Sequence, residues 1–302
     1  MTLSYEIDSS VNLGSGKDSP VNAPSALPLR SDGTRRPTGL PLPPGHMPLL
    51  RSGRPLKRWR YVGVYGPQVM LCAARVRIGG IPQAFWAVLD RETGRMADRT
   101  AFTPGLVAIA DGHLSVRGRG VEIDLALQPA GEPMEVTSPH GGSFIWTRKD
   151  PIRAVGRVTA MGRTHEIDHA GLIDASAGYH ARETAWRWSA GVGTATDGRA
   201  LAWNLVTGVH DAPEQSERTV WVDGVAREPA RVTFPGDLDG VGFADGDGVL
   251  RFTAEAERAR RDDLKLFVSD YRQPFGTFAG ALPGGVEVAE GYGVMEWHDV
   301  RW

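Results

Sequence analysis

Asp-Gly recurs along this chain at 111–112, 197–198, 223–224, 239–240 and 245–246, and Thr-Gly stands at 93–94. Between apolar runs, Asp-Gly is a strong hairpin signal, because a two-residue type I′ turn needs two positive φ values. The segments between these turns alternate. Val121, Ile123, Leu125 and Leu127 are interleaved with Glu122, Asp124 and Ala126, the pattern of a strand with one buried face. Similar runs lie at Arg60–Tyr65, Val69–Ile78, Ala84–Leu89, Phe144–Arg148 and Ala154–Met161. They recur at Ala185–Ala195, Ala200–Val206, Arg218–Val222, Arg231–Phe234, Val249–Ala254 and Leu264–Val268. Helix formers gather only at Glu255–Asp263, which reads as a helix or as the end of a strand.

Many short strands at even spacing predict an all-β protein built as a barrel or sandwich. They outnumber the strands of one eight-stranded barrel, so two tandem β-barrels or barrel-like sandwiches are expected. The halves would divide near Pro151, giving 51–150 and 151–302. Residues 1–50 are rich in Ser, Pro, Gly and Asn and read as a flexible or loosely draped arm.

Lysine and arginine number 34 against 36 acidic residues, a net charge of -2. That balance supplies no whole-protein field for nucleic acid, which is not an expected partner. The local basic cluster Arg51, Arg54, Lys57, Arg58 and Arg60 reads as the start of a strand rather than a phosphate site. Cys72 is the sole cysteine, so neither an internal disulfide nor a Cys-based zinc site can form. Its apolar surroundings, VMLCAARV, make it a buried structural thiol. No run approaches the roughly 18 apolar residues of a membrane helix, and the N-terminus lacks a secretory pattern. No integral membrane segment and a cytoplasmic location are expected.

Three of the nine tryptophans, Trp186, Trp188 and Trp203, fall around the Asp197-Gly198 turn. A type I′ turn there pairs Thr196 with Arg199 and sets Trp188 against Thr207 and Val192 against Trp203. One face then carries Trp186, Trp188, Val192, Leu201, Trp203 and Leu205, either as core packing or as the wall of a ligand cavity. The opposite face carries Arg187, Ser189, Gly191, Gly193, Asn204 and Val206, where the glycines mark close approach of a backbone or ligand. Opposite placement of Trp186 and Trp203 would contradict this register.

His165-Glu166-Ile167-Asp168-His169 matches H-E-x-x-H, a zinc motif when it lies on a helix. Gly162, Gly171 and flanking strand-like runs point instead to a polar hairpin loop. On a strand, residues four apart stand about 13 Å apart, too far to share one zinc. No metal is expected. Asp174, Tyr179, His180, Arg182 and Glu183 gather just before the tryptophan strand, as acid–base candidates or as a solvated loop. His210 with Asp211 forms a weaker pair. Glu296 and His298 share a face of the last strand, as catalytic groups or as a solvated edge. With no G-x-S-x-G elbow, P-loop or dinucleotide fingerprint, no cofactor is expected.

Several ordered segments resemble domain-of-unknown-function family 2804. They are GRPLKRWRYVGVYGPQVMLCAARVRIG at 53–79, QAFWAVLDRETG at 83–94, the Asp174–Gly178 turn, AWRWSAG at 185–191, DGRALAWNL at 197–205, ERTVWVDG at 217–224, SDYRQPFGTFAG at 269–280 and the closing GYGVMEWHDVRW. More distantly, the Trp-x-Trp strand with its Asp-Gly hairpin and the late Gly-x-Gly-x-x-Glu strand are similar to carotenoid hydratase and AttH-like proteins. That similarity implies two tandem calycin, or lipocalin-like, barrels. It also implies action on a hydrophobic small molecule, by hydration or rearrangement of an alkene-containing lipid or isoprenoid. Asp174, His180 or Glu296 would then supply the proton, and Tyr179, Trp186, Trp188, Trp203 and Asn204 would contact the ligand. A non-catalytic binder of the same apolar ligand, or an interaction module with no ligand, are the alternatives.

Overall fold

The computed structural model describes residues 27–103, 105–110, 112–263 and 268–301. Among them no helix forms, and the chain builds two large antiparallel sheets. The short leading strands are β1 Leu29–Ser31, β2 Leu50–Arg51 and β3 Arg54–Pro55. The first large sheet continues with β4 Lys57–Tyr65, β5 Val69–Ile78, β6 Ile81–Asp90, β7 Arg95–Ala101 and β8 Val107–Ala110. It is completed by β9 His113–Gly118, β10 Val121–Pro129, β11 Met134–His140, β12 Ser143–Ala160 and β13 Arg163–Gly178. The second comprises β14 Glu183–Ala195, β15 Ala200–Thr207, β16 Thr219–Val222, β17 Val225–Arg227 and β18 Val232–Thr233. Its remaining strands are β19 Gly240–Phe243, β20 Val249–Asp263, β21 Val268–Leu282 and β22 Val286–Arg301.

The first sheet has eleven strands in the order β7-β6-β5-β4-β13-β12-β10-β9-β8, with β11 on β12 and β1 on β11. The second has nine, ordered β17-β16-β15-β14-β22-β21-β20-β19-β18, while β2 and β3 form a separate hairpin. Each large sheet curls on itself. β8 packs back against β5 and β6, and β18 against β15. This is the expected all-β pair of barrel-like units. Alternation does the work: Val121, Ile123, Leu125 and Leu127 point into the first interior, and Glu122 and Asp124 stay in water.

The sheets change hands between Gly178 and Glu183, not near Pro151. Pro151 sits within β12, where its neighbour switches: β11 pairs with residues 143–149 and β10 with 152–160. A proline lacks only the N–H, and at that changeover no ladder partner requires one. The arm is likewise docked from residue 27 onward. β1 pairs with β11, and Leu42 and Met47 are buried against Trp146 and Tyr179. Arg30 extends from β1 to the second sheet, donating to the Ser216 and Arg218 carbonyls and to Thr219 Oγ1. The rest of the expected arm, 1–26, and most of the strand expected at Leu264–Val268 lie outside the described residues. Glu255–Asp263 is strand, the second half of β20, with a bulge between Ala254 and Ala256.

The tryptophan hairpin corrects its expected register by one residue. Thr194 pairs with Ala200, Gly191 with Trp203 and Trp188 with Val206. The turn is longer than two residues: Ala195 N–H donates to Arg199 O, and Gly198 N–H to Ala195 O. Gly198 alone takes positive φ (87°), so this is a type I turn closed by a left-handed glycine rather than type I′. One added loop residue transfers every following side chain to the other face. Trp186 and Trp188 therefore share a face with Asn204 and Val206, while Trp203 lies opposite, with Leu201 and Leu205. Gly191 makes room for a side chain rather than for a backbone or ligand. A Cβ there would stand 2.1 Å from the Trp203 ring.

The HEIDH segment lies on β13, beside a tight turn at Met161–Gly162, and is strand rather than loop or helix. Glu166 faces Arg157 across the sheet at 2.7 Å, and His165 approaches Asp90 at 3.5 Å.

Candidate functional site

A cavity of about 160 Å³ lies in the seam where the two sheets face each other. β4, β5, β6 and β13 supply one wall, and β14, β20, β21 and β22 the other. Trp59 and Trp186 stack across the seam with centroids 6.4 Å apart, and Tyr61 meets Trp188 edge-on at 5.6 Å. The lining is mainly apolar and aromatic, with a small set of titratable groups, the usual make-up of a small-molecule site.

Glu296, on β22, is the best-prepared of those groups. It is 8 % exposed, and its carboxyl accepts from Trp186 Nε1 (2.8 Å), Tyr271 Oη (3.0 Å) and Gln273 Nε2 (2.9 Å). Burial pushes its pKa up to about 7, the charge of Asp174 adding to the shift and the Trp186 and Tyr271 donors opposing it. Both protonation states are thus within reach near neutral pH, as a general acid requires. Gln273 also ties this carboxyl to Cys72, whose Sγ lies 3.6 Å from Gln273 Oε1. Burial pushes that thiol up to about 12, which suits its expected structural role.

A second polar group lies at the inner end. Lys149 Nζ stands 2.5 Å from Asp174 Oδ1 and 3.4 Å from Glu217 Oε2, all three side chains being buried. Burial works against the ammonium charge, but the two carboxylates outweigh it and hold the Lys149 pKa above its usual value. Burial pushes Glu217 up to about 6, with Lys149 opposing and Asp174 adding. His180 packs between Trp59 (5.1 Å) and His140 (5.6 Å), and its Nδ1 has no partner. His210 Nδ1 meets Ser138 Oγ at 2.9 Å, while its Nε2 has none. Burial holds both imidazoles well below the usual histidine range, and pushes His298 down to about 3. His298 is fixed by Ser269 Oγ (2.9 Å) and by contact with Trp186 (4.3 Å).

Of the residues expected from the sequence, Asp174, His180, Glu296, Trp186 and Trp188 all line this cavity. Three do not. Tyr179 faces the arm, its hydroxyl donating to Pro48 O at 2.8 Å. Trp203 fills the interior of the second sheet against Phe278, as the corrected register requires. Asn204 stands behind the wall, accepting from Trp188 Nε1 (2.7 Å) and donating to Glu217 O (2.9 Å). His210 lines the cavity while Asp211 turns away to Arg218. Lys149, Glu217, Tyr271 and Gln273 had no place among the expected site residues. The spacing of Tyr271 and Gln273 with Ser269, at every second position, was the available signal. Among the described residues no three His, Cys, Asp or Glu side chains converge as metal ligands. None of the described helices could cross a membrane, since there are none.

Comparison with known proteins gives three findings. Residues 110–302 match the family described as Domain of unknown function (DUF2804). No curated protein matches the chain. Among solved structures, an AttH-like protein of Nitrosomonas europaea is similar over 85 % of this chain and 98 % of its own, with TM-score 0.51 and 13 % identity. Kievitone hydratase of Nectria haematococca is similar over 82 % of this chain and 88 % of its own, with TM-score 0.54 and 13 % identity. At these identities the likeness is one of fold.

Proposed function

This chain belongs to the DUF2804 family, and we propose that its seam cavity is an active site for acid-catalysed chemistry on a hydrophobic small molecule. The reaction is hydration or rearrangement of an alkene in a lipid or isoprenoid, run in the cytoplasm. The observation that carries this reading is Glu296, a buried carboxyl with a pKa of about 7 held by three donors on an aromatic cavity wall. The other two candidate donors are less suited. Asp174 is committed to Lys149 at 2.5 Å, and burial keeps His180 neutral, which leaves an imidazole N–H far too weakly acidic to protonate an alkene.

Glu296 donates its proton to one alkene carbon and is left as a carboxylate, which Trp186, Tyr271 and Gln273 stabilise. The positive charge that develops on the other carbon faces Trp186 and Trp188, whose ring faces attract cations. In hydration, water adds to that carbon and the proton it releases returns to Glu296. In rearrangement, the returning proton comes from a neighbouring carbon. Asp174 and His180 line the inner end, where they order a water or a polar substituent. A likeness in fold to a hydratase supports the reading. A simple lipocalin-like carrier would use the apolar wall but has no need of a carboxyl primed by three donors.

The test is incubation of the protein in D2O with isoprenol, geraniol and farnesol, following deuterium at carbon by mass spectrometry. Wild-type protein is expected to incorporate deuterium into at least one of them, and Glu296→Gln to do so about a hundredfold or more slowly. Equal incorporation by the two proteins, or binding of these alcohols with no incorporation, contradicts the proposal.

A further inference from the structure

Where an arginine on these sheets lies directly across from a charged residue, that residue is usually acidic. Arg95 faces Asp90, Arg117 faces Glu122, Arg148 faces Glu135, Arg157 faces Glu166 and Arg261 faces Asp270. The β4–β5 pair breaks this pattern twice in succession. Arg58 lies opposite Arg77, and Arg60 opposite Arg75. Like charges directly opposite each other destabilise a sheet. Among the described residues, none of the four makes an ion pair. Arg58 is half-buried, and its Nε has no hydrogen-bond partner.

These four arginines project from the face of β4 and β5 that also carries Val62, Val64, Leu71 and Ala73, the interior face of the first sheet. They form the rim of a second cavity, of about 340 Å³, which shares Trp59, Val76, Gln83 and Ser176 with the seam cavity. Its floor is apolar: Val107, Ile109 and Trp146 contribute to it. Among its described lining residues there is no Asp or Glu. A rim of uncompensated guanidinium groups over an apolar floor is complementary to a molecule with an anionic head and an apolar chain. Guanidinium groups match carboxylate and phosphate oxygens in paired hydrogen bonds.

We propose that the open end of the first barrel binds a single-chain amphiphilic anion. Arg58, Arg60, Arg75 and Arg77 hold its carboxylate or phosphate head, and Val107, Ile109 and Trp146 receive its chain. The site uses none of the residues given a role in the proposed catalysis and does not depend on it.

Isothermal titration with octanoate, octyl phosphate, octanol and inorganic phosphate separates head from chain, and carboxylate from phosphate. At least one of the two amphiphilic anions is expected to bind at one site per chain, with octanol and inorganic phosphate about tenfold or more weaker. Arg60→Ala/Arg75→Ala should weaken that anion by about tenfold or more, while Arg153→Ala leaves it unchanged. Thermal unfolding without ligand supplies a readout that a structural role would move the other way. Relief of like-charge repulsion should leave the double variant at least as stable as wild type. Arg75→Gln alone carries the same comparison if the double variant does not fold. The proposal is overturned if neither anion binds, if octanol binds as tightly as the tighter-binding anion, if the variants bind as wild type does, or if removing the arginines lowers the melting temperature.

Discussion

The interior of the second sheet and the seam between the sheets are built from the same strands, seen from opposite faces. On β15, Trp203 points into the interior and Asn204 to the seam side. On β22, Met295 points inward and Glu296 lines the seam cavity. The interior is packed mainly with apolar side chains, and Ser189 there accepts the Trp203 indole N–H at 3.2 Å. The seam is lined by a lysine, two arginines, four carboxyl groups, three histidines and several aromatic side chains. Such groups are costly to bury unless each is hydrogen-bonded or paired, and the seam retains two histidine nitrogens that are neither. A protein selected for stability alone would close this seam as it closed the interior. What the contrast teaches is where stability has been given up, and the polar seam is therefore the candidate site.

Truncation draws the distinction most strongly. Trp203→Ala should lower unfolding stability by about 3–5 kcal/mol, because it empties a fully buried site that cannot collapse. Trp186→Ala, at a half-buried position on an existing cavity, should cost about half of that or less. Urea denaturation of both measures the ratio, and equal losses would erase the difference between interior and seam.

A smaller effect comes from pH. The folded-state pKa of Glu296, about 7, lies above the ordinary 4.5, so the folded protein holds this proton more tightly than the unfolded chain does. Its contribution to stability is therefore greatest below pH 4.5, declines as pH rises, and levels off above about 7. Between pH 5 and pH 8.5 the decline attributable to this group is about 2–3 kcal/mol. Glu217 shifts in the same direction and His298 in the opposite sense, so the quantity to measure is the difference between wild type and Glu296→Gln. The variant should gain on wild type as pH rises, and a difference independent of pH would place the Glu296 pKa at its ordinary value.

The strands were legible in the sequence because alternation and turn dipeptides are local, and Val69–Ile78 was located to the residue. The hairpin register was less so. Asp-Gly fits both a two-residue type I′ turn and a longer type I turn with a left-handed glycine, and the choice between them reverses which face each tryptophan takes. Trp203 left the expected site for that reason, whereas Asn204 moved onto the seam face and is kept from the cavity by Trp188, whose indole N–H it accepts. Tyr179 left it because the arm, which carries no periodic signal, covers its face. Lys149, Glu217 and Gln273 went unnoticed because each is an isolated polar residue, Lys149 on β12, Glu217 in the loop before β16 and Gln273 on β21, brought together only by sheet order and by the facing of two sheets. Pro151 misled the domain division because a proline inside a strand is tolerated where neighbouring strands change places.

The central claim is that Glu296 is a carboxylic acid near neutral pH, and infrared spectroscopy reads this directly. The difference between wild type and Glu296→Gln should contain the C=O stretch of one protonated carboxyl, and that band should titrate away with a midpoint of about 7. A midpoint near 4.5, or no such band at pH 6, would show an ordinary ionised glutamate and contradict the account.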